Sequence, residues 1–510
     1  MSRCAQPECE GPAGCTQMLW RKAPGGYLRE TLTATVYDVA VNSPLQLATE
    51  LSEAFENELL LKREDLQAVH SFKLRGAYNK MANLTEEVRQ RGIICSSAGN
   101  HAQGVALAAR RLGCKATICM PLAAPAIKIA AVERLGGEVQ LVGETYTETE
   151  VYAKERAMLE GRAFVAPYDD PYTIAGQGTI GIGAYVKALK PEVKIFGAEC
   201  TGANAMAQSL ARGHRVRLTK ADAFADGIAV KQVGAETFRL CRQVVDGVVL
   251  VDNAATSAAI RDVFNETRSI LEPAGAVGVA GAKAYMKHYG LKDKTVVVVT
   301  SGANMNFDRL RLVAELAGVG AKSEAMLVTT IPERPGAFHA FADAALMQTD
   351  IQVTEFKYRY AAGSEAHILW SAETASLGDS AAMVDRLNAV DLPTRDISAI
   401  EPAQVHLRHL VGGRARSFTG ALPFERIFQV DFPERPGALR RFLSQVSPQW
   451  NLTLFHYRKT GNTSTGILIG MQVPPETSEA FAAAQAALGD DFVFSELHGD
   501  ARQVFDMFIS

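Results

Sequence analysis

Gly92-Ile93-Ile94-Cys95-Ser96-Ser97-Ala98-Gly99-Asn100 is the stretch whose reading decides the fold. A short apolar run gives way to a turn of small polar residues. His101-Ala102-Gln103-Gly104-Val105-Ala106-Leu107-Ala108-Ala109 then continues at helical spacing to Leu112. This is strand, turn, helix. The pattern repeats on both sides. Upstream, a strand is expected over 59–62 and a helix over 72–84 that begins near Lys73, with a first helix over 27–38. Downstream, strands are expected over 114–120 and 138–142, with a helix over 127–135 between them that Gly136-Gly137 stops. Further strands are expected over 193–199, 248–251 and 295–299, with a helix over 256–269 and a helix start at Glu272-Pro273. Alternation of this kind predicts an α/β domain with a mostly parallel sheet, and ligands in such sheets bind at the carboxyl ends of the strands.

At 510 residues the chain is too long for one typical domain. Its 47% hydrophobic and 21% charged content are those of an ordinary globular protein. A formal charge of -3 leaves no footprint for nucleic acid or an anionic membrane. No apolar run reaches membrane-spanning length. Eight cysteines in so long a chain do not make a disulfide scaffold and suggest a reducing compartment. Residues 1–26 stand apart, with Cys4, Cys9 and Cys15 set among Pro, Gly and Glu. A fourth metal ligand is not at hand, so a disordered extension is expected there and no metal site. The tail lacks the apolar centre of a secretory signal, and Glu8 and Glu10 do not suit a transit peptide.

Two short stretches carry candidate chemistry. In Val69-His70-Ser71-Phe72-Lys73-Leu74-Arg75-Gly76 a lysine follows an apolar patch. Apolar neighbours strip hydration from an ammonium and favour the neutral amine, which can attack an aldehyde. Read alone, Lys73-Leu74-Arg75 fits a solvated surface pair better than a nucleophile. Ser96 to Asn100 opens a helix, where free N–H groups and the helix dipole attract anions; an ordinary N-cap has the same look. Gly176-Gln177-Gly178-Thr179-Ile180-Gly181 matches G-x-G-x-x-G, but no convincing strand precedes it, and a dinucleotide site is rejected.

These two stretches, followed far downstream by Ser301-Gly302-Ala303-Asn304, resemble the biosynthetic threonine dehydratases (threonine ammonia-lyases). They belong to the tryptophan-synthase-β-like, fold type II group of pyridoxal 5'-phosphate (PLP) enzymes. The likeness runs from about Tyr27 to the C-terminus and suits the long, plant-like form. It implies a catalytic domain over 27–318, PLP bound to Lys73 as a Schiff base, and Lys73 as the base for the substrate α-proton. It further implies that Asn100 meets the cofactor's phenolic oxygen and Ser301 its pyridine nitrogen. Ser97 and Gly99, in the turn, would hold the substrate carboxylate. The loop at 226–230 would border the cofactor ring. A neutral hydroxyl at the ring nitrogen tempers the electron sink and suits elimination over transamination.

The likeness breaks between Ile180 and Gly181. The family carries there the rest of a helix, a buried strand and a four-glycine loop around the PLP phosphate, and this sequence does not. A phosphate dianion needs converging N–H donors, and a sheet without an interior strand has unpaired ladder groups. The expectation is either a splice or gene-model variant of a true enzyme, or a chain that holds PLP poorly.

Beyond about residue 318 the chain repeats itself. Ile331-Pro332-Glu333-Arg334-Pro335-Gly336-Ala337-Phe338 returns as Phe432-Pro433-Glu434-Arg435-Pro436-Gly437-Ala438-Leu439, and Tyr358-Arg359 returns as Tyr457-Arg458. Each unit reads as strand, Pro-Gly turn, helix and strand, which fits a split βαβ, ferredoxin-like plan. The turn is either purely structural or a carboxylate site at a helix start. The repeat resembles the paired ACT-like regulatory domains of threonine dehydratases, here over 324–411 and 424–510, joined by a linker over 411–423. The resemblance implies conversion of L-threonine to 2-oxobutanoate and ammonia, feedback by isoleucine, and a homotetramer. It places the protein in the plastid stroma in a plant or alga, and otherwise in the cytoplasm. Two other readings stay open: a catalytically impaired amino-acid-sensing form or partner subunit, and a serine-acting PLP lyase or racemase.

Overall fold

A computed structural model describes residues 19–320, 324–332, 353–358, 365–374, 377–400, 423–433, 449–456 and 464–509, with isolated residues and pairs of residues between them. Cys4, Cys9 and Cys15, both Pro-Glu-Arg-Pro-Gly turns beyond their first proline, and most of the 411–423 linker lie outside the described residues. The chain divides into two compact units, Met1–Met305 and Asn306–Ser510.

In the first unit the strands β1 (Leu45–Leu47), β2 (Glu58–Arg63), β3 (Ile93–Ser96), β4 (Ala116–Met120), β5 (Glu138–Leu141), β6 (Ala163–Phe164), β7 (Phe196–Cys200), β8 (Gly247–Val251) and β9 (Thr295–Thr300) form three sheets. The first has the order β5-β4-β3-β6 and is parallel throughout, with Ile93 opposite Ala116 and Thr117 opposite Glu138. Every residue of β3 and β4 is buried, because helices cover both faces, and this is why those strands are apolar apart from Ser96 and Thr117. In the second, β9 runs parallel to β2, and β1 closes the other edge antiparallel. The third is the parallel pair β7-β8.

Helix α1 (Lys73–Ala82) packs on α2 (Asn100–Leu112). The contact needs Gly104, where a methyl group would stand 3.1 Å from the backbone of Leu74 and Lys73. Leu74, Met81 and Val105 are fully buried, each adding on the order of 2 kcal/mol. The helix Pro171–Gly176 leads directly into α3 (Gly178–Leu189), and α4 (Pro273–Tyr289) lies on both β9 and the β7-β8 pair.

The expected helix over 27–38 is shorter. It spans Gly26–Thr33, Ala34 leaves at φ -64°, ψ 128°, and a single 3-10 turn follows at Val36–Asp38. Thr33, Thr35 and Val36 are β-branched and stiff, which weakens the helix where it ends. Asp38 is instead held by the Tyr78 hydroxyl, at 2.8 Å.

The second unit bears out the repeat. Sheet β11-β12-β10-β13 (β10 Glu324–Pro332, β11 Val353–Tyr358, β12 Glu365–Glu373, β13 Thr394–Asp396) has the same order as β15-β16-β14-β17 (β14 Glu425–Pro433, β15 Asn451–His456, β16 Ser464–Gln472, β17 Val493–Glu496). In both, the first strand sits between the third and the fourth, as the ferredoxin-like plan requires. The helices Leu377–Asn388 and Ser478–Leu488 hold equivalent places in the two repeats. Met326, Val328 and Leu369 of one repeat share a buried cluster with Ile427, Leu468 and Phe505 of the other. Among the described residues, five cysteines are free, no cluster of His, Cys, Asp and Glu could hold a metal, and no helix is long and apolar enough to cross a membrane.

Candidate active site

Two helices begin side by side at the carboxyl end of β3, and each begins with a sequence-predicted site residue: Lys73 for α1, Asn100 for α2. The segment before α1 is tied to the loop after β9. Phe72 N donates to Ser301 O at 3.2 Å, Ala303 N donates to His70 O at 2.9 Å, and Ser71 forms a β-bridge with Gly302. His70 sits at φ 52°, in the left-handed region that non-glycine residues seldom use, and its N–H donates to Gln67 O at 2.7 Å. Strain of this kind persists where the surroundings over-determine the backbone, commonly beside a working site.

The Lys73 Nζ donates to Pro167 O at 2.8 Å and stands 5.5 Å from the Phe72 ring centroid. Burial pushes its ammonium down to about 8, and the Glu272 carboxylate pulls in the opposite direction by a smaller amount. A lysine so placed has a neutral fraction near working pH, as a nucleophile or a proton acceptor requires.

A chain of amides fixes Asn100. Its Nδ2 donates to Glu272 Oε1 at 2.5 Å, and its Oδ1 accepts from Asn304 Nδ2 at 2.7 Å. Asn304 Nδ2 also donates to Val69 O at 2.8 Å. Glu272 is held in turn by its own N–H, which donates to Gly302 O at 3.2 Å. The Ser97 Oγ accepts from Gly99 N at 3.3 Å, and a methyl group on Gly99 would meet nothing within 4 Å, so this turn opens on free space beside Asn100. The Ser301 hydroxyl donates to Ala274 O at 3.4 Å, and Gly227 of the 226–230 loop packs against the Ala274 side chain. Lys73, Asn100 and Ser301 are thus brought to one place, with Ser97 and Gly99 in the turn at its edge.

Four participants escaped the sequence reading. Glu272 and Asn304 lay inside quoted motifs, yet nothing local gave them partners. Pro167 O carries no side-chain signal at all. His101 follows Asn100, and its Nε2–H donates to Val165 O at 2.9 Å. Burial first, then the charge of Lys73, push its ring down to about 3, so it is neutral at pH 7. Its Nδ1 is buried without a hydrogen-bond partner. The rejection of a dinucleotide site stands: Gly176 to Gly181 joins two helices, and Gln177 Oε1 accepts from Gly76 N at 3.1 Å instead of opening a phosphate loop.

A half-buried amine, an amide locked in one orientation, a hydroxyl and an open helix-start turn are a donor set that fits the aldehyde and ring of PLP. The family described as "Pyridoxal-phosphate dependent enzyme" matches residues 36–182 and 180–302. That described as "C-terminal regulatory domain of Threonine dehydratase" matches 315–407 and 420–501. The chain is 49% identical, over 499 residues, to the tomato (Solanum lycopersicum) protein "Threonine dehydratase 1 biosynthetic, chloroplastic", covering 92% of this chain and 81% of that one. It is 47% identical, over 496 residues, to "L-threonine dehydratase biosynthetic IlvA" of Burkholderia multivorans, covering 92% and 96%. Among solved structures, the processed form of threonine deaminase isoform 2 from Solanum lycopersicum superposes with a TM-score of 0.57 at 47% identity, over 57% of this chain and 92% of that one. Maize serine racemase shares the fold with a TM-score of 0.53 at 28% identity, over 57% and 97%. With a PLP-enzyme region followed by a twofold regulatory region, and with such identity over nearly its whole length, the chain belongs to the biosynthetic threonine dehydratases, which are PLP-dependent lyases.

Proposed function

We propose that this protein converts L-threonine to 2-oxobutanoate and ammonia, the first step of isoleucine biosynthesis, under feedback by isoleucine. The observation that carries the reading is the Lys73 amine, lowered to about 8 and set beside the Asn304–Asn100–Glu272 chain. The paired regulatory repeats favour it over a serine racemase of the same fold. PLP, when bound, supplies the electron sink that makes the substrate α-proton removable.

This chain's residues do the rest. Lys73 would hold the cofactor, and its Nζ would take the substrate α-proton. The turn of Ser97 and Gly99 binds the substrate carboxylate at the start of α2, where backbone N–H groups are free. Asn100, held between Asn304 and Glu272, would present its amide to the phenolic oxygen of the cofactor. Ser301 would meet the ring nitrogen as a neutral group. Loss of the β-hydroxyl follows removal of the α-proton, and hydrolysis of the resulting enamine releases ammonia and the oxo acid. The catalytic region extends over 27–318 and the two regulatory repeats over 324–411 and 424–510, in a homotetramer. The protein works in the plastid stroma in a plant or alga and otherwise in the cytoplasm. Borohydride trapping of PLP with peptide mapping, alongside threonine turnover, tests the reading: label on Lys73 together with turnover is expected, and label on another lysine overturns the assignment.

A further inference from the structure

The segment after β6, Val165-Ala166-Pro167-Tyr168-Asp169-Asp170, is pinned at nearly every residue. Val165 N donates to Ile94 O at 2.9 Å. Three successive carbonyls then accept from side chains of three different helices. Val165 O accepts from His101 Nε2 at 2.9 Å, Ala166 O from Thr173 Oγ1 at 3.3 Å, and Pro167 O from Lys73 Nζ at 2.8 Å. The two carboxylates that follow each cap a helix. Asp169 Oδ1 accepts from Glu236 N and Thr237 N, both at 3.0 Å, and Asp170 Oδ1 accepts from Tyr172 N at 2.9 Å and Thr173 N at 3.0 Å. The carbonyl that receives Lys73 thus stands in a segment with little freedom to follow the amine when it moves.

Pro167 O has a second donor. Gln177 Nε2 donates to it at 3.4 Å, while Gln177 Oε1 accepts from Gly76 N, in the first turn of α1, at 3.1 Å. The two contacts fix the orientation of the amide, since reversing it would set oxygen against carbonyl and nitrogen against N–H. Gly76 lies three residues after Lys73 in α1, so Gln177 ties the carbonyl to the helix that carries the amine. Two donors that reach one oxygen at 2.8 and 3.4 Å are no more than about 6 Å apart, and a charge at one is felt at the other.

The backbone is shaped for this reach. Gln177 is a single extended residue, at φ -156°, ψ 164°, between the helix Pro171–Gly176 and α3. Gly178 follows at φ 79°, in the left-handed region that suits glycine. A methyl group on Gly76 would stand 2.5 Å from Gln177 Cδ, and one on Gly176 would stand 2.7 Å from Asn79 Cβ. The bare backbone at both positions lets the two helices approach until the amide meets α1 and Pro167 O together. The packing of these helices has other ties: Asn79 Nδ2 donates to Tyr172 O at 2.7 Å, and Lys80 Nζ lies 2.8 Å from Asp170 Oδ2. Gln177 is therefore not needed merely to hold them together.

We propose that Gln177 is a positioning residue for Lys73: it holds the Pro167 carbonyl to the first turn of α1 and shares that carbonyl with the amine, so that the carbonyl keeps a donor when the amine leaves. A carbonyl oxygen has two lone pairs and can serve both groups. While Lys73 is an ammonium its charge-assisted bond is the stronger, at 2.8 Å against 3.4 Å. A carbonyl left without a donor in this enclosed place is costly. Gln177 removes that cost and so favours the neutral, departing amine over the bound ammonium. That Lys73 is the working amine rests on the proposed function; the sharing of Pro167 O does not.

Trace labelling of amines across a pH series in the cofactor-free protein, read by mass spectrometry, tests this without turnover. Gln177→Glu keeps an acceptor for Gly76 N but sets a carboxylate where the donor to Pro167 O stood. The labelling midpoint of Lys73, about 8 in the unaltered chain, should rise by about one pH unit or more, while that of Lys128 stays where it is. The unfolding midpoint should move by less than ~2 °C. Gln177→Met removes both contacts and leaves Pro167 O to the ammonium alone; it should slow the labelling of Lys73 at pH 8 by ~3-fold. An unchanged Lys73 midpoint in Gln177→Glu overturns the proposal. Should that variant not fold, unchanged labelling in Gln177→Met does so, because lost packing alone would lower stability without moving the ionisation of Lys73. A raised Lys73 midpoint together with PLP trapped on another lysine would support the positioning and count against the proposed function.

Discussion

Replacing Lys73 by methionine should make the cofactor-free protein more stable at neutral pH while abolishing turnover. Burial lowers the lysine from 10.5 to about 8. At 1.36 kcal/mol per pH unit, this corresponds to a penalty of about 3.4 kcal/mol on the folded state. Lys73 is partly accessible, which makes the figure an upper bound. Because the folded value is the lower one, the unfolded chain binds more protons between pH 8 and 10.5. The penalty is therefore complete below pH 8 and is relieved as pH rises towards 10.5. At pH 9.5 about 1.4 kcal/mol of it remains. Methionine has a similar reach and no charge, but it gives up the bond to Pro167 O, worth about 1 kcal/mol. The net effect of Lys73→Met is thus a gain of about 2 kcal/mol at pH 7 that shrinks close to zero by pH 9.5. Denaturant unfolding of both proteins at the two pH values reads it directly, and the change with pH separates ionisation from packing. A difference that does not vary with pH would show that the site does not work against the charge on Lys73, and the case for this lysine as a proton acceptor would fall.

Glu272→Gln keeps an acceptor for Asn100 Nδ2 but removes the charge that raises Lys73. Competitive amine labelling of the cofactor-free protein should therefore place Lys73 lower than in the unaltered chain, and an unchanged value would confine Glu272 to positioning. Gly275→Ala would put a methyl group 2.2 Å from Gly302 O, in the loop that carries Ser301; a loss of about 1–3 kcal/mol is expected in chemical denaturation, and an unaltered midpoint would contradict the packing described. Lys80→Met would leave the Asp170 carboxylate, now 2.8 Å from Lys80 Nζ, without its buried cation. Removing one partner of such a pair destabilises by about 3–5 kcal/mol, and a change below about 1 kcal/mol in the same assay would speak against the pairing.

The Ile93–Ser96 strand and the Asn100–Leu112 helix were legible because burial writes its own period into a segment: continuous apolar residues where a strand is covered on both faces, every third or fourth where a helix is covered on one. The repeat beyond Gly320 was legible for a related reason. Two copies of one pattern, with β14 starting 101 residues after β10 and β16 starting 99 after β12, declare themselves without any knowledge of contacts. Lys73, Asn100 and Ser301 were found as motifs, each in its own segment. The end of the first helix near Thr33 was missed because a few β-branched residues shift a boundary without breaking the pattern.

What the sequence by itself determined is this set of local elements, their α/β alternation and the twofold regulatory texture. Only the tertiary structure decided that Glu272, 172 residues from Asn100, accepts from its amide, that Asn304 locks the other end, and that the carbonyl of Pro167 receives Lys73. It also decided that β9 runs parallel to β2, 237 residues away along the chain. The physical reason is one of range. Hydrophobic period and turn chemistry act between residues a few positions apart and leave a trace along the chain. A carboxylate's partner, or a strand's neighbour, is chosen through space once distant segments have been packed together.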